Sequence, residues 1–334
     1  MHGSRSPAAG AAARSLAYVC LGLCPLACGR YWLCDEPAQA DLSRLPARLS
    51  ETGLFRDVAS EALEAGVRAY RPQFALWSDG ADKRRWVSLP ADARIDTADP
   101  DDWNFPVGTR FWKEFTRDGV RVETRLLSRW GTGPGDWIGA AYVWNEEGSD
   151  AGLTAHGALD ARGTAHDVPA AGECMACHGG TKSVILGFSA IQLAHDDADG
   201  GVTLDTLNSE NLLSDPSSEE PRVPGNETER AALGYLHANC GHCHNQDRPS
   251  HSGARCFDPD NDLDFRLSVH ALASVADTAT RKTIGGAVKP GAPGASRLIE
   301  LMSQRGLFKQ MPPLATERVD HDAVELLSAF IREL

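Results

Sequence analysis

Alternation of apolar and polar side chains is strongest between about Leu45 and Glu147. There Val120, Val122, Thr124 and Leu126 alternate with Arg121, Glu123 and Arg125, the period of a half-buried strand. Thr109 to Thr116 has the same character, and Arg117-Asp118-Gly119 between the two runs supplies a turn with a glycine available for positive φ. Leu76 to Pro90 predicts a turn and then a strand, and Trp137 to Trp144 a further strand. Together these runs predict an antiparallel β domain over 45–150, a small sandwich or barrel with its aromatic residues in the core. From about Ala151 to Pro224 the chain is rich in Gly, Asp and Ser and has little periodicity, which predicts an irregular segment over 151–225. Beyond Gly225 the pattern becomes helical. Asn226 with Glu229 three positions on forms a capping box ahead of Ala231, Ala232, Tyr235 and Leu236. A last helix from about Asp320 to Leu334 places Val324, Leu327, Ile331 and Leu334 on one face. The expected fold class is α+β and multidomain, ending in an all-α unit over 226–334.

The N-terminus changes the picture first. Arg5 and Arg14 precede an apolar run, Ser15 to Ala27, which is too short to span a bilayer comfortably. Leu26-Ala27-Cys28-Gly29 then resembles a bacterial lipoprotein cleavage site, although Pro25 stands where leucine is usual. Residues 1–28 therefore read as an export leader and 29–44 as a linker. The expected location is the periplasm or cell envelope, with a lipid on Cys28 as the membrane attachment. The chain has 334 residues and a formal net charge of -13, which makes nucleic acid an unfavourable partner.

Nine cysteines are present, and their spacing carries the chemistry. Cys174-Met175-Ala176-Cys177-His178 and Cys240-Gly241-His242-Cys243-His244 are both C-x-x-C-H, the pattern of covalent c-type haem attachment. Two thiols three positions apart reach the two vinyl groups of one haem, and the next histidine sits beneath the iron. The motif predicts two haem c groups, with Cys174, Cys177, Cys240 and Cys243 as attachment points and His178 and His244 as proximal ligands. Two rival readings are a disulfide within each pair and a zinc site. A disulfide leaves both histidines unexplained. Ribbon-type zinc pairs lie about 15–20 residues apart, whereas Cys177 and Cys240 are separated by more than 60 positions.

The sixth iron position separates a carrier from a catalyst. For the second haem the candidate is Met311, held by Pro312 and Pro313 in a stiff segment before the last helix; Met302 is a rival but lies in a helical stretch. For the first haem His195 is one candidate and an open or solvent-bound face another, with His156, His166, His237 and Met302 behind them. His242, His251, His270 and His321 read as surface residues, and Cys256 as a thiol without a role.

Residues 226–334 resemble a class I cytochrome c domain on the helix bearing Gly234 and Tyr235, the haem motif at its end, Met311 with its prolines, and the closing helix with Phe330. The resemblance implies an all-α cytochrome c-like domain whose first and last helices cross at Gly234, Tyr235 and Phe330. Most of 50–334 also resembles a bacterial family of two-haem c-type cytochromes, often lipoproteins. The strings that carry it are Phe74 to Gly80 (FALWSDG), Lys83 to Val87 (KRRWV), Leu89-Pro90, Glu123 to Leu127 (ETRLL), Tyr142 to Glu147 (YVWNEE) and Glu173-Cys174. The expected function is electron transfer with a redox partner protein. The alternatives are a peroxidase-like dihaem enzyme with an open first haem, and a cell-envelope binding module in which haem is structural.

Overall fold

The structure is a computed structural model that describes residues 41–197, 199–216, 220–246, 262–306, 310–313 and 316–334. The leader and linker up to residue 40, with Cys28, lie outside the described residues, as do His251 and Cys256.

Two short strands, β1 (Phe55–Asp57) and β2 (Ala62–Leu63), pair with each other ahead of the main sheet. That sheet has six strands, β3 (Val67–Ala69), β4 (Asp82–Ser88), β5 (Arg110–Arg117), β6 (Val120–Arg129), β7 (Trp137–Trp144) and β8 (Ala151–Thr154). They lie in sequence order and every neighbour is antiparallel. The expected β5–β6 hairpin forms with Asp118 (φ 49°) and Gly119 (φ 79°) at its tip. Positive φ at both central residues matches the right-handed twist of the flanking strands.

Side chains opposite each other across the ladders share a face. Trp86, Trp112, Leu126, Ala140, Tyr142 and Trp144 form one face, covered by Leu45, Leu49, Leu54 and Phe55. The indole N–H groups buried there are satisfied: Trp112 donates to Thr52 Oγ1 and Trp144 to Thr124 Oγ1, each at 3.1 Å. At one end of the opposite face, Val87, Phe111, Leu127 and Trp137 pack under Tyr70, Trp103, Phe105 and Phe188. Both faces are covered, so the charged positions of β6 are not a solvent face: Glu123 is 0% exposed.

The helices are α1 (Cys174–His178), α2 (Ala190–Leu193), α3 (Leu204–Ser209), α4 (Glu227–Asn239), α5 (Ala279–Thr283), α6 (Arg297–Met302) and α7 (His321–Glu333). The capping box of α4 is present, with Glu229 N donating to Asn226 Oδ1 at 2.9 Å and Asn226 N to the Glu229 carboxylate at 2.8 Å. Ala232 and Leu236 of α4 meet Leu327, Phe330 and Ile331 of α7. Among the described residues no helix is long and apolar enough to cross a membrane.

This architecture corrects the expected fold class. The dominant element is one six-stranded antiparallel sheet, neither a sandwich nor a barrel: loops, single turns and short helices cover its faces, and β3 and β8 are edges. No all-α cytochrome c-like domain stands apart over 226–334. Among the described residues between α4 and α7 there are only short helices, single turns and extended chain. The 73–79 segment of the β region is built into the helices. Phe74 N donates to Gln192 Oε1, Trp77 N to Asn239 Oδ1 at 2.6 Å, and the Asp79 carboxylate accepts from Thr316 Oγ1 at 2.7 Å and Glu317 N at 2.8 Å. Gly234, expected at the α4–α7 crossing, instead faces the Phe74 ring, and a Cβ there would overlap it. Ile191, Val223, Leu233 and Leu267 form one apolar cluster with Phe74, spanning the expected boundary at 225.

Candidate haem-binding site

Cys174, Cys177 and His178 lie on α1, a single turn entered through the 3₁₀ turn Ala171–Glu173. A helical turn sets thiols three positions apart on one side and brings the following histidine beneath them. Gly139 of β7 makes room for the first thiol. A Cβ at that position would lie 3.1 Å from Cys174 Cβ, 3.2 Å from its Sγ and 3.0 Å from a Leu127 methyl.

The His178 ring is fixed by a 2.7 Å hydrogen bond between Nδ1 and the Val184 carbonyl oxygen. A carbonyl only accepts, so Nδ1 carries the proton and the neutral ring keeps its lone pair on Nε2. Burial, followed by the charges of Lys113 and His242, outweighs that hydrogen bond and pushes His178 down to about 3. The side chain is thus a neutral imidazole with one nitrogen oriented by the protein and one left to bind, the state a metal-ligating histidine requires.

In the second motif the His244 ring lies edge-on to Phe265, centroids 5.6 Å apart. Phe265 belongs to the apolar cluster of the α4–α7 pair, against which both Cys240 and Met311 pack. Met311 is tied to α6 by its backbone N–H, which donates to the Leu301 carbonyl at 3.0 Å. Met302 is 5% exposed within the same cluster and acts as packing.

The two motifs touch. Gly180, just past His178, lies so close to the backbone of His242 that a Cβ at 180 would overlap its carbonyl oxygen. Asn245 Nδ2 clasps both loops, donating to the carbonyls of Gly180 at 3.0 Å and Gly241 at 2.8 Å. A cleft runs along this junction. Its walls come from the chain after the first motif (Thr181, Ser183, Ile185), from His237, Gly241 and His242, and from Arg85 and Lys113 of the sheet. His242 was expected at the surface. Here it lines the cleft, and burial pushes it down to about 4.

The other candidates for the first iron lie elsewhere or are occupied. His195 does not line the cleft, and its two ring nitrogens face the carbonyl oxygens of Asp196 at 2.8 Å and Arg71 at 2.7 Å. His166 is buried with Nε2 2.7 Å from Glu123 Oε1. His237 does line the cleft, but its Nδ1 accepts from Leu267 N at 3.0 Å.

None of the four motif cysteines forms a disulfide. Burial raises the Cys174 and Cys177 thiols and pushes Cys240 up to about 12. Such thiols stay protonated at neutral pH, which disfavours a thiolate metal site. Among the described residues no group of three or more His, Cys, Asp or Glu is placed to hold a bare metal ion. A haem asks less of the protein: the porphyrin supplies four donors and the chain one or two. The oriented His178 Nε2, one helical turn from two thiols three positions apart, fits that group.

Compared with protein-family models, curated proteins and solved structures, the chain matches none of them. The functional reading rests on the two motifs and their geometry.

Proposed function

We propose that the chain is a dihaem c-type cytochrome that transfers electrons in the bacterial cell envelope. Cys174 and Cys177 hold one haem with His178 as its proximal ligand. Cys240 and Cys243 hold the other with His244, and Met311 is its distal ligand. The haems supply a one-electron iron couple when attached; the polypeptide orients the ligands, covers the macrocycles and fixes their separation. The observation that carries this reading is the contact between the two motif loops, Gly180 against His242 with Asn245 bonded to both sides. Electron tunnelling weakens steeply with distance. Loops in backbone contact keep two macrocycles close enough to exchange electrons without a third carrier. Attachment outside the cytoplasm accords with an export leader over 1–28, and a lipid on Cys28 would keep the carrier at the membrane beside its redox partner.

A peroxidase-like enzyme is the second reading, favoured by one observation. The ring nitrogens of His195 face the Arg71 and Asp196 carbonyls, and His195 does not line the cleft at the motif junction. Carbon monoxide added to the reduced, matured protein separates the two. The carrier reading predicts a low-spin spectrum that carbon monoxide leaves unchanged. A high-spin fraction that binds carbon monoxide would replace it with the enzyme.

A further inference from the structure

The cleft at the motif junction is separate from the groups that would hold haem. None of the four motif thiols lines it, nor does His178, His244 or Met311. Its apolar walls include Phe74, Ile185, Ile191 and Leu267. Several polar groups in the lining are donors without an acceptor. Thr181 is 8% exposed, and its Oγ1 is buried with no hydrogen-bond partner among the described residues. Arg85 is 7% exposed, and its guanidinium makes no hydrogen bond or ion pair among the described residues. His237 is neutral and accepts from Leu267 N through Nδ1, which leaves its proton on Nε2. Asp101, the carboxylate of the lining, already accepts from Ser268 Oγ at 2.6 Å and from Val269 N at 2.8 Å.

Formal charge in this lining cancels. Arg266 pairs with Asp102 at 2.9 Å, and burial above all drives Lys113 toward its uncharged amine. One cation, Arg85, and one anion, Asp101, remain, so an ion of either sign gains little. Spare donors in an apolar cleft suit a neutral molecule with an apolar body and an oxygen that accepts hydrogen bonds. The walls come from both motif loops, so such a molecule would lie beside both redox centres. We propose that the cleft binds a single-ring hydroquinone as electron donor, with Arg85 and Thr181 on its oxygen and Phe74 and Ile191 against its ring. This proposal rests on the dihaem reading above and names the class of donor. In the reaction two O–H bonds break and two ring carbonyls form. Two protons pass to water, and two electrons leave, one to each of two ferric haems, which become ferrous.

The test uses the full chain matured with haem-attachment machinery, as wild type, Arg85→Met and the near-isosteric Thr181→Val. Intact mass counts the haems. Calorimetry measures binding of duroquinone, whose fully substituted ring cannot add thiols, against durene, which lacks the oxygens, and tetramethylbenzoate, which carries a charge. The site predicts that duroquinone binds the wild type more tightly than either comparator. It also predicts that each substitution weakens duroquinone by about tenfold, the loss of one hydrogen bond, and durene little. Should Arg85→Met fail to fold, Thr181→Val and the three probes on the wild type still decide. Durohydroquinone added without oxygen should reduce both haems at a rate that saturates, with the half-saturating concentration raised about tenfold in Thr181→Val. No duroquinone binding to a chain carrying both haems, or equal binding to all three proteins, would overturn the site and leave the dihaem reading intact. Tighter binding of tetramethylbenzoate would overturn it too, making the cleft an anion site. A reduction rate that never saturates and ignores both substitutions would overturn the donor role. A chain without haem that still binds duroquinone through Thr181 would instead remove the dihaem reading, and the donor role with it.

Discussion

Single atoms decide how closely the two motifs approach. Gly180→Ala puts a methyl group where the His242 carbonyl lies. Crowding of this kind costs about 1–3 kcal/mol. We expect a lower thermal midpoint with both haems still attached, and slower electron exchange between them; calorimetry and flash photolysis measure the two effects. His237 gives a pH signature. Burial first, then the charges of Arg266 and His242, pushes it down to about 3, against about 6.5 in an unfolded chain. The unfolded chain therefore binds the extra proton between those values. The stability contributed by the neutral ring is complete above about pH 6.5 and is lost as pH falls toward 3, by up to about 1.4 kcal/mol per pH unit. His237→Asn keeps an acceptor for Leu267 N but cannot titrate. Denaturant unfolding at several pH values should show that variant with a slope shallower by about one proton; equal slopes would refute the assignment.

Among the elements, what could be read from the sequence was what depends on near neighbours. The β5–β6 hairpin follows from alternation and an Asp-Gly tip, and the start of α4 from an asparagine and a glutamate three positions apart. Pairings between distant segments were hidden. Gly234 was legible as a small residue at a close approach, but its partner is Phe74 rather than α7, because the 73–79 segment crosses to the helices. Arg85, Lys113 and Arg125 fall on alternate strand positions like any half-buried face. Only the chain folded back over that side, 181–192, 237–242 and 266–267, turns it into the wall of a cleft. His242 was read as a surface residue because nothing local reveals that its loop meets Gly180. The 73–79 segment makes its own prediction. Asn239 accepts from Trp77 N and donates to the Ala75 carbonyl at 3.2 Å. Asn239→Ala leaves both groups unsatisfied in a largely buried place and should destabilise the protein by about 1–3 kcal/mol. Denaturant unfolding checks this; a change below about 0.5 kcal/mol, the size typical of surface substitutions, would show the segment does not depend on that side chain.

At the scale of the whole molecule, charge and covalent chemistry are arranged oppositely to the composition. The chain carries a formal charge of -13, yet Arg85 and Lys113 face the cleft at the junction of the two motifs. The 73–79 segment and the contact between the motifs join the sheet and the helical part of the chain. The second motif is tied into the helical side, since Cys240 and Met311 pack against the apolar cluster of the α4–α7 pair. The account depends on both motifs carrying haem. Intact mass of the matured wild-type chain tests it most directly. The prediction is a mass increase of two haems, reduced to one in Cys174→Ser/Cys177→Ser and again to one in Cys240→Ser/Cys243→Ser. A colourless chain at its bare polypeptide mass, or one lighter by the hydrogens lost to disulfides between the paired thiols, would contradict it.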